Sequence, residues 1–115
     1  MNRASFNHRR LAKMEGMELA SFQIISSVGA ARSCIIEAMK FGRQRKFTEA
    51  YKKIDEANEF LSEGHKNHVQ LIQKEADGGD VQISILFMHA EDQFMTTYTL
   101  RDVAYEMIAI WKEMK

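Results

Sequence analysis

A short polar run, His89-Ala90-Glu91-Asp92-Gln93, interrupts an apolar segment in the last third of the chain. On a helix, His89 would share one face with Asp92 and Gln93, which follow it by three and four residues. Burying such groups is costly unless they are hydrogen-bonded, paired or bound to a metal, so their presence suggests a function. An imidazole is nucleophilic near neutral pH, and His89 is therefore a candidate for carrying a phosphoryl group as a reversible phosphoramidate.

The same residues also allow simpler interpretations. A histidine beside an apolar run is often a satisfied core or surface residue, and a His-x-x-Asp pair at helical spacing is common. A zinc site would need more ligands, for which His65 and His68 are candidates, although their spacing matches no zinc signature. A histidine phosphotransfer domain of two-component signalling would typically have Lys-Gly at the positions of Asp92 and Gln93, which argues against that class.

Three long periodic segments would position these residues. Apolar residues recur at steps of three and four from Met17 to about Arg43 and from about Phe47 to Ala76, and a third apolar segment begins near Ile83. The basic stretch 42–46 and the turn sequence 77–80 separate the three. Because short connections make neighbouring helices antiparallel, we predict an all-α, up-down-up three-helix bundle.

The third segment is apolar around most of a helix circumference between Ile83 and Met95. Such a helix is buried on more than one side, and a three-helix monomer of this size cannot supply both sides. We therefore expect an oligomer. The run from Val81 to Met88 also alternates with a period of two, as a strand would, but a single strand has no partner in this chain. The helix is the preferred interpretation.

Length and composition exclude several classes of protein. The chain has 115 residues, enough for one domain, and its 16 basic residues balance its 16 acidic residues. No global charge therefore favours nucleic acid or anionic membranes. We find no apolar run near the roughly 20 residues that span a bilayer. Cys34 is the single cysteine and cannot form an intrachain disulfide, which suits a soluble protein in a reducing cytoplasm.

The first fourteen residues contain four basic residues and no acidic residue. They lack the apolar stretch of a secretory signal, although an arginine-rich start is also a feature of organellar transit peptides. We interpret residues 1–14 as a flexible basic N-terminal extension and residues 15–115 as a single domain.

Several ordered motifs resemble one protein family. The run 88–97, Met-His-Ala-Glu-Asp-Gln-Phe-Met-Thr-Thr, is similar to the family pattern His-x-x-Asp-His-Leu-Met-Thr. Further matches lie in the first two predicted helices: Gly29-x-Ala31-Arg32-Ser33, Glu37-Ala38, Glu63-x-His65 and Leu71-Ile72. From residue 17 to residue 115 the chain thus resembles the lactose/cellobiose-type enzyme IIA of the bacterial sugar phosphotransferase system.

The resemblance implies a cytoplasmic homotrimer of three-helix bundles. In the family, the histidine at the position of His89 accepts phosphate from the carrier protein HPr and passes it to a cysteine of the IIB component during uptake of a β-linked disaccharide. The aspartate at the position of Asp92 would bind one metal ion such as Mg²⁺, shared by three subunits at the trimer axis. The membrane component IIC would be an indirect partner, and we expect neither direct sugar binding nor nucleic-acid binding.

One position departs from the family pattern. The family's second histidine is Gln93 here, and glutamine can donate a hydrogen bond but cannot carry a positive charge. We predict that Gln93 supports the phosphorylated state as a hydrogen-bond donor. The alternative is a helical, trimeric interaction or regulatory module in which phosphotransfer is impaired.

Overall fold

The computed structural model describes residues 3–78 and 84–115, with side chains from residue 16 onward, and this part of the chain is entirely helical outside its turns. The predicted all-α, up-down-up three-helix bundle is confirmed. Its helices are α1 (Arg3–Arg43), α2 (Phe47–Ala76) and α3 (Ile85–Glu113). The bounds of α2 and the end of α1 agree with the prediction.

The first helix begins much earlier than the predicted Met17. Its backbone is helical from Arg3, so it runs through the boundary that we placed after residue 14. The apolar stripe located the start wrongly because a stripe predicts which part of a helix is buried and does not predict where its helical backbone begins. Residues 3–14 lack Gly and Pro and include several good helix formers, so the helix continues where the stripe ends. The flexibility of this basic segment stays a prediction.

The third helix begins at Ile85 behind an N-cap residue. Ser84 has an extended backbone, and its side-chain oxygen accepts a hydrogen bond of 3.0 Å from the backbone N–H of Phe87. Residues 85–88 are helical, which confirms the helix and excludes the strand there. The other residues of these predictions, in the range 79–83, lie outside the described residues.

A tight turn joins α1 to α2. The backbone N–H groups of Arg45 and Lys46 donate to the carbonyls of Gly42 and Phe41 at 3.0 and 2.9 Å, the pattern of a Schellman motif. Arg45 occupies its left-handed position with φ 63°, which glycine usually takes. The Arg45 guanidinium also donates 3.0 Å hydrogen bonds to the carbonyls of Trp111 and Met114, so it caps the end of α3.

The core consists of two clusters along the bundle, and α1 contributes to both. The larger one, which we call the turn-end cluster, lies toward the α1–α2 turn and contains Ala31, Cys34, Ile35, Ala38, Ala50, Ile54, Ala57, Leu61, Ala104 and Ile108. The smaller one, the His89-end cluster, contains Ile24, Val28, Leu71, Ala90 and Phe94. The apolar seam predicted for α2 thus faces the core.

One helix segment, Gly16–Arg43, is long and apolar enough to cross a bilayer by length and composition, contrary to the expectation from apolar runs. A core helix of a bundle meets the same test. Ile24, Val28 and Ile35 of this segment are buried between α2 and α3, so it has the position of a core helix here.

Candidate functional site

The start of α3 presents His89 to solvent. His89 lies in the second turn, five residues after the Ser84 cap, and its side chain is exposed. The positive end of the helix dipole would favour negative charge added in the first turns of this helix. The predicted nucleophile is therefore accessible to another protein.

Asp92 and Gln93 lie on the same side of α3 as His89, as the spacing predicted. Asp92 is exposed and Gln93 is half-buried. Neither side chain is hydrogen-bonded to His89 within the described part of the chain. The backbone carbonyls of both residues accept from the Thr96 hydroxyl, at 2.8 and 3.3 Å. The role of Gln93 as a donor to the phosphorylated state stays a prediction.

Apolar side chains flank Asp92 on this outer face. Ile85 is 87% exposed, Met88 55% and Met95 59% in the single chain. These residues were predicted to be buried on more than one side of α3, and one chain does not cover them. Large apolar side chains that share one face and stay open to solvent are typical of an interface with another protein surface.

The opposite side of α3 carries a polar pair that the sequence interpretation missed. Glu91 points inward, and its Oε2 makes an ion-pair contact with Nδ1 of His68 on α2. The two side chains are only 21% and 18% exposed. The contact is not aligned as a hydrogen bond, and Oε1 of Glu91 is buried with no hydrogen-bond partner among the described residues. The signal in the sequence was an ionisable residue on the inward face of each of two neighbouring helices.

Phe94 connects this pair to the rest of the bundle. Its ring stacks on His68 with centroids 4.9 Å apart and on His65 at 6.2 Å. Gly64 lies close to the same ring: a Cβ there would be in ordinary contact with Phe94 Cδ2 at 3.5 Å and in tighter contact with Val28 Cγ2 on α1 at 3.2 Å. Both histidine rings therefore pack against the aromatic ring of Phe94 on α3.

Beyond Phe94 the groove between α2 and α3 opens into a cavity of about 300 Å³. It is lined by His65, Phe94, Met95, Tyr98, Thr99 and Asp102. Arg101 lies at the end of this cavity. Its guanidinium carbon is 4.5 Å from the centroid of the Tyr98 ring, and its Nη1 donates a 3.1 Å hydrogen bond to Oδ1 of Asn58. The groove continues the exposed apolar face of α3.

The described residues contain no group of three or more His, Cys, Asp or Glu side chains that could hold a metal ion. His65 and His68 lie against Phe94 and are not arranged as zinc ligands with a third residue. Asp92 supplies one exposed carboxylate per chain. Carboxylate oxygen is a ligand that suits Mg²⁺, and more than one copy of the chain would be needed to surround an ion.

Two perturbed titratable groups lie away from His89. Hydrogen bonds from Lys53 to Glu37 and Glu56 raise the pKa of the Lys53 ammonium. Burial raises the pKa of the Cys34 thiol, and the nearby Glu56 carboxylate adds to the effect. Both groups belong to the contact between α1 and α2 and not to the face of α3 that carries His89.

Comparisons with known proteins converge on one family. Residues 19–112 match the family model of the PTS system, Lactose/Cellobiose specific IIA subunit. The oligo-beta-mannoside-specific EIIA component of Bacillus subtilis is 41% identical over 83% of this chain and 86% of its own length. The lactose-specific EIIA component of Staphylococcus epidermidis is 34% identical over 84% and 93%.

Two solved structures have the same fold. The cellobiose-specific enzyme IIA of Bacillus anthracis superposes with a TM-score of 0.82 at 38% identity, over 84% of this chain and 89% of that one. PtcA from S. mutans superposes with a TM-score of 0.82 at 35% identity, over 98% and 100%.

Proposed function

Because the chain belongs to the lactose/cellobiose-specific IIA family of the sugar phosphotransferase system, we propose that it accepts a phosphoryl group on His89 and passes it on. It is a phosphotransferase component of sugar transport. The observation that carries the proposal is an exposed histidine in the second turn of α3, in the segment that resembles the family motif.

The proposed chemistry consists of two displacements. A neutral imidazole nitrogen of His89 attacks the phosphorus of phospho-HPr, so that a P–N bond forms as the bond from phosphorus to the donor breaks. The phosphoryl group then leaves His89 for a cysteine thiolate of the IIB component, and the imidazole is regenerated. The start of α3 favours the added negative charge, and Gln93 would donate a hydrogen bond to it.

The proposed assembly is a homotrimer. Its support is the exposed face of α3, where Ile85, Met88 and Met95 surround Asp92. If three such faces meet, three Asp92 carboxylates come together and repel one another. A single Mg²⁺ held by Asp92 from each copy would offset that repulsion, in a structural role. Light scattering on the purified chain measures the assembly: a molar mass of three chains supports it, and a monomer contradicts it.

Replacing Asp92 tests the metal proposal separately. Asp92→Leu removes the carboxylate that requires a cation, and replacing buried charge by apolar groups is often neutral or stabilising. We expect a trimer that survives chelation of divalent ions. If Asp92→Leu were a monomer while the wild-type chain was a trimer, the proposed role of the ion would be wrong.

The proposed substrate class is based on the names of the relatives. Their names cover oligo-β-mannosides, lactose and cellobiose. We propose that the chain transfers phosphoryl groups in the cytoplasm during uptake of a β-linked disaccharide of the lactose, cellobiose or chitobiose class. The sugar itself would be bound by the membrane component IIC, and this chain would meet only HPr and IIB.

The test of function is phosphorylation by HPr, its upstream kinase and phosphoenolpyruvate, followed by intact-mass measurement at mildly alkaline pH. We expect a gain of one phosphoryl group per chain in the wild-type protein and none in a folded His89→Ala variant. No gain in a well-folded wild-type chain would favour the alternative, an interaction module in which Gln93 has replaced a residue needed for transfer.

A further inference from the structure

The polar pair behind His89 is not explained by stability. Glu91 and His68 are each about four-fifths covered, and one carboxylate oxygen has no hydrogen-bond partner within the part of the chain that the structure describes. Replacing a buried ion pair by apolar residues is often neutral or stabilising. Apolar side chains at these two positions would join the His89-end cluster at lower cost. The pair therefore needs another reason.

Its position suggests that reason. Glu91 is two residues after His89 and points to the other side of α3. Because successive residues turn by about 100° around a helix, any rotation of α3 that moves Glu91 away from His68 also turns His89. Ala90, between His89 and Glu91, is also buried on the inner side of α3. Its side chain is too small to fix the rotation of the helix.

The polar and aromatic contacts of α2 with this part of α3 run through the same two histidines, beside the apolar side chain of Leu71. His68 stacks on Phe94 and pairs with Glu91, and His65 stacks on Phe94 from further along α2. α1 contributes apolar residues to the cluster, Ile24 and Val28 among them. A contact between two ionisable side chains thus exists between α2 and α3, about half a helical turn from His89.

We propose that His68 and Glu91 are positioning residues, which fix the rotation of α3 and thereby the direction in which His89 meets its phosphoryl donor. This inference rests on the proposed function. Phosphoryl transfer requires the attacking nitrogen to lie in line with the breaking bond, and a misplacement of about 1 Å can lower a rate 100-fold. Neither residue contacts the reacting atoms, so both act through the helix.

Three variants separate positioning from packing. Glu91→Ala removes the carboxylate and leaves His68 without its partner. The double variant His68→Leu/Glu91→Leu replaces the pair with an apolar contact that has no preferred direction. The double variant His68→Gln/Glu91→Gln replaces it with two amides that can form a directional, neutral hydrogen bond. Glu75→Gln removes an exposed carboxylate elsewhere on α2 and is the matched control.

The first measurement is amide hydrogen exchange at residues 85–92, which requires no phosphotransfer. We expect faster exchange in Glu91→Ala and in the leucine pair than in the wild type, and wild-type exchange in the glutamine pair and the control. The second is the initial rate of phosphorylation by phospho-HPr. We expect a fall of about tenfold in the first two variants and recovery in the glutamine pair.

The outcomes are distinguishable. If the leucine pair melts at the wild-type temperature or higher but transfers slowly, the pair positions and does not merely pack. If the leucine pair transfers at the wild-type rate, or if exchange is unchanged in every variant, the positioning role is wrong. If the wild-type chain accepts no phosphoryl group, the proposed function fails first, and the inference about the rate fails with it.

Discussion

The two ends of the bundle are built in opposite ways. At the α1–α2 turn the interior is apolar and the last turn of α3 is capped by Arg45. At the other end two ionisable side chains, His68 and Glu91, lie inside while Ile85 and Met88 lie outside. A sequence that follows the packing rules in one region and departs from them in another marks the second region as functional. We infer that the turn end contributes most of the free energy of unfolding, and that the His89 end is less stable because its residues serve a function.

The largest expected effect is a cavity at the turn end. Ile54 is fully buried, and Ile54→Ala should lower the free energy of unfolding by about 2–5 kcal/mol, because the lost apolar contacts leave a cavity. His89→Ala, at an exposed position, should change it by less than about 0.5 kcal/mol. Urea unfolding at a fixed protein concentration measures both. Equal losses would contradict the placement of Ile54 in the core and of His89 on the open face of α3.

The glycines give a matched pair at the two ends. In Gly42→Ala the new Cβ would lie 2.9 Å from Cε3 of Trp111 and 3.1 Å from Cγ1 of Ile108, so the aromatic ring must move. We expect a loss of about 1–3 kcal/mol. In Gly64→Ala the tightest contact is 3.2 Å, to the end of the Val28 side chain, and the loss should be smaller. A larger loss at Gly64 would show that the His89 end is the more tightly packed.

The hydrogen bonds from Arg45 to the end of α3 should contribute about 1 kcal/mol to the free energy of unfolding. Arg45→Ala removes the two hydrogen bonds to the α3 carbonyls and keeps the unfavourable positive φ. Arg45→Gly also removes the bonds but relieves the backbone, so we expect a melting temperature between those of Arg45→Ala and the wild type. Lys46→Ala, next to it and without a side-chain cap bond, is the control. If Arg45→Gly melted at a higher temperature than the wild type, the cap would contribute less than the strain.

The smallest expected effect concerns Cys34 in the turn-end cluster. Burial raises the pKa of its thiol above the ordinary 9.0, so the folded chain retains the thiol proton to higher pH than the unfolded chain. The resulting stabilisation is complete below the unfolded pKa and is lost as pH rises through the folded pKa. Iodoacetamide should therefore label the folded chain more slowly than the urea-unfolded chain at pH 8. Equal rates would contradict the burial of this thiol.

Helix periodicity and breaks were enough to predict the bundle. The end of α1 and both ends of α2 were correct because the apolar steps stop at a polar turn and at a glycine pair. The predicted start of α1 was wrong because good helix formers also precede the first residue of the apolar stripe. Apolar periodicity predicts which part of a helix is buried and does not predict where the helix begins.

The outer face of the site was predictable, whereas the inner side was not. Spacing alone places His89, Asp92 and Gln93 on one side of a helix. The pairing of Glu91 with His68 depends on the relative height of two antiparallel helices, which the sequence pattern does not reveal. The cap by Arg45 was missed for the same reason, because its partners are more than sixty residues away along the chain.

The most direct test of the account is to locate the phosphoryl group within the phosphorylated chain. The chain contains four histidines: His8 near the start of α1, His65 and His68 against Phe94, and His89 on the open face of α3. Proteolysis at alkaline pH followed by fragment mass spectrometry should place the phosphoryl group on His89 alone. A phosphoryl group on any of the other three histidines would contradict the assignment of the exposed face of α3 as the reactive site.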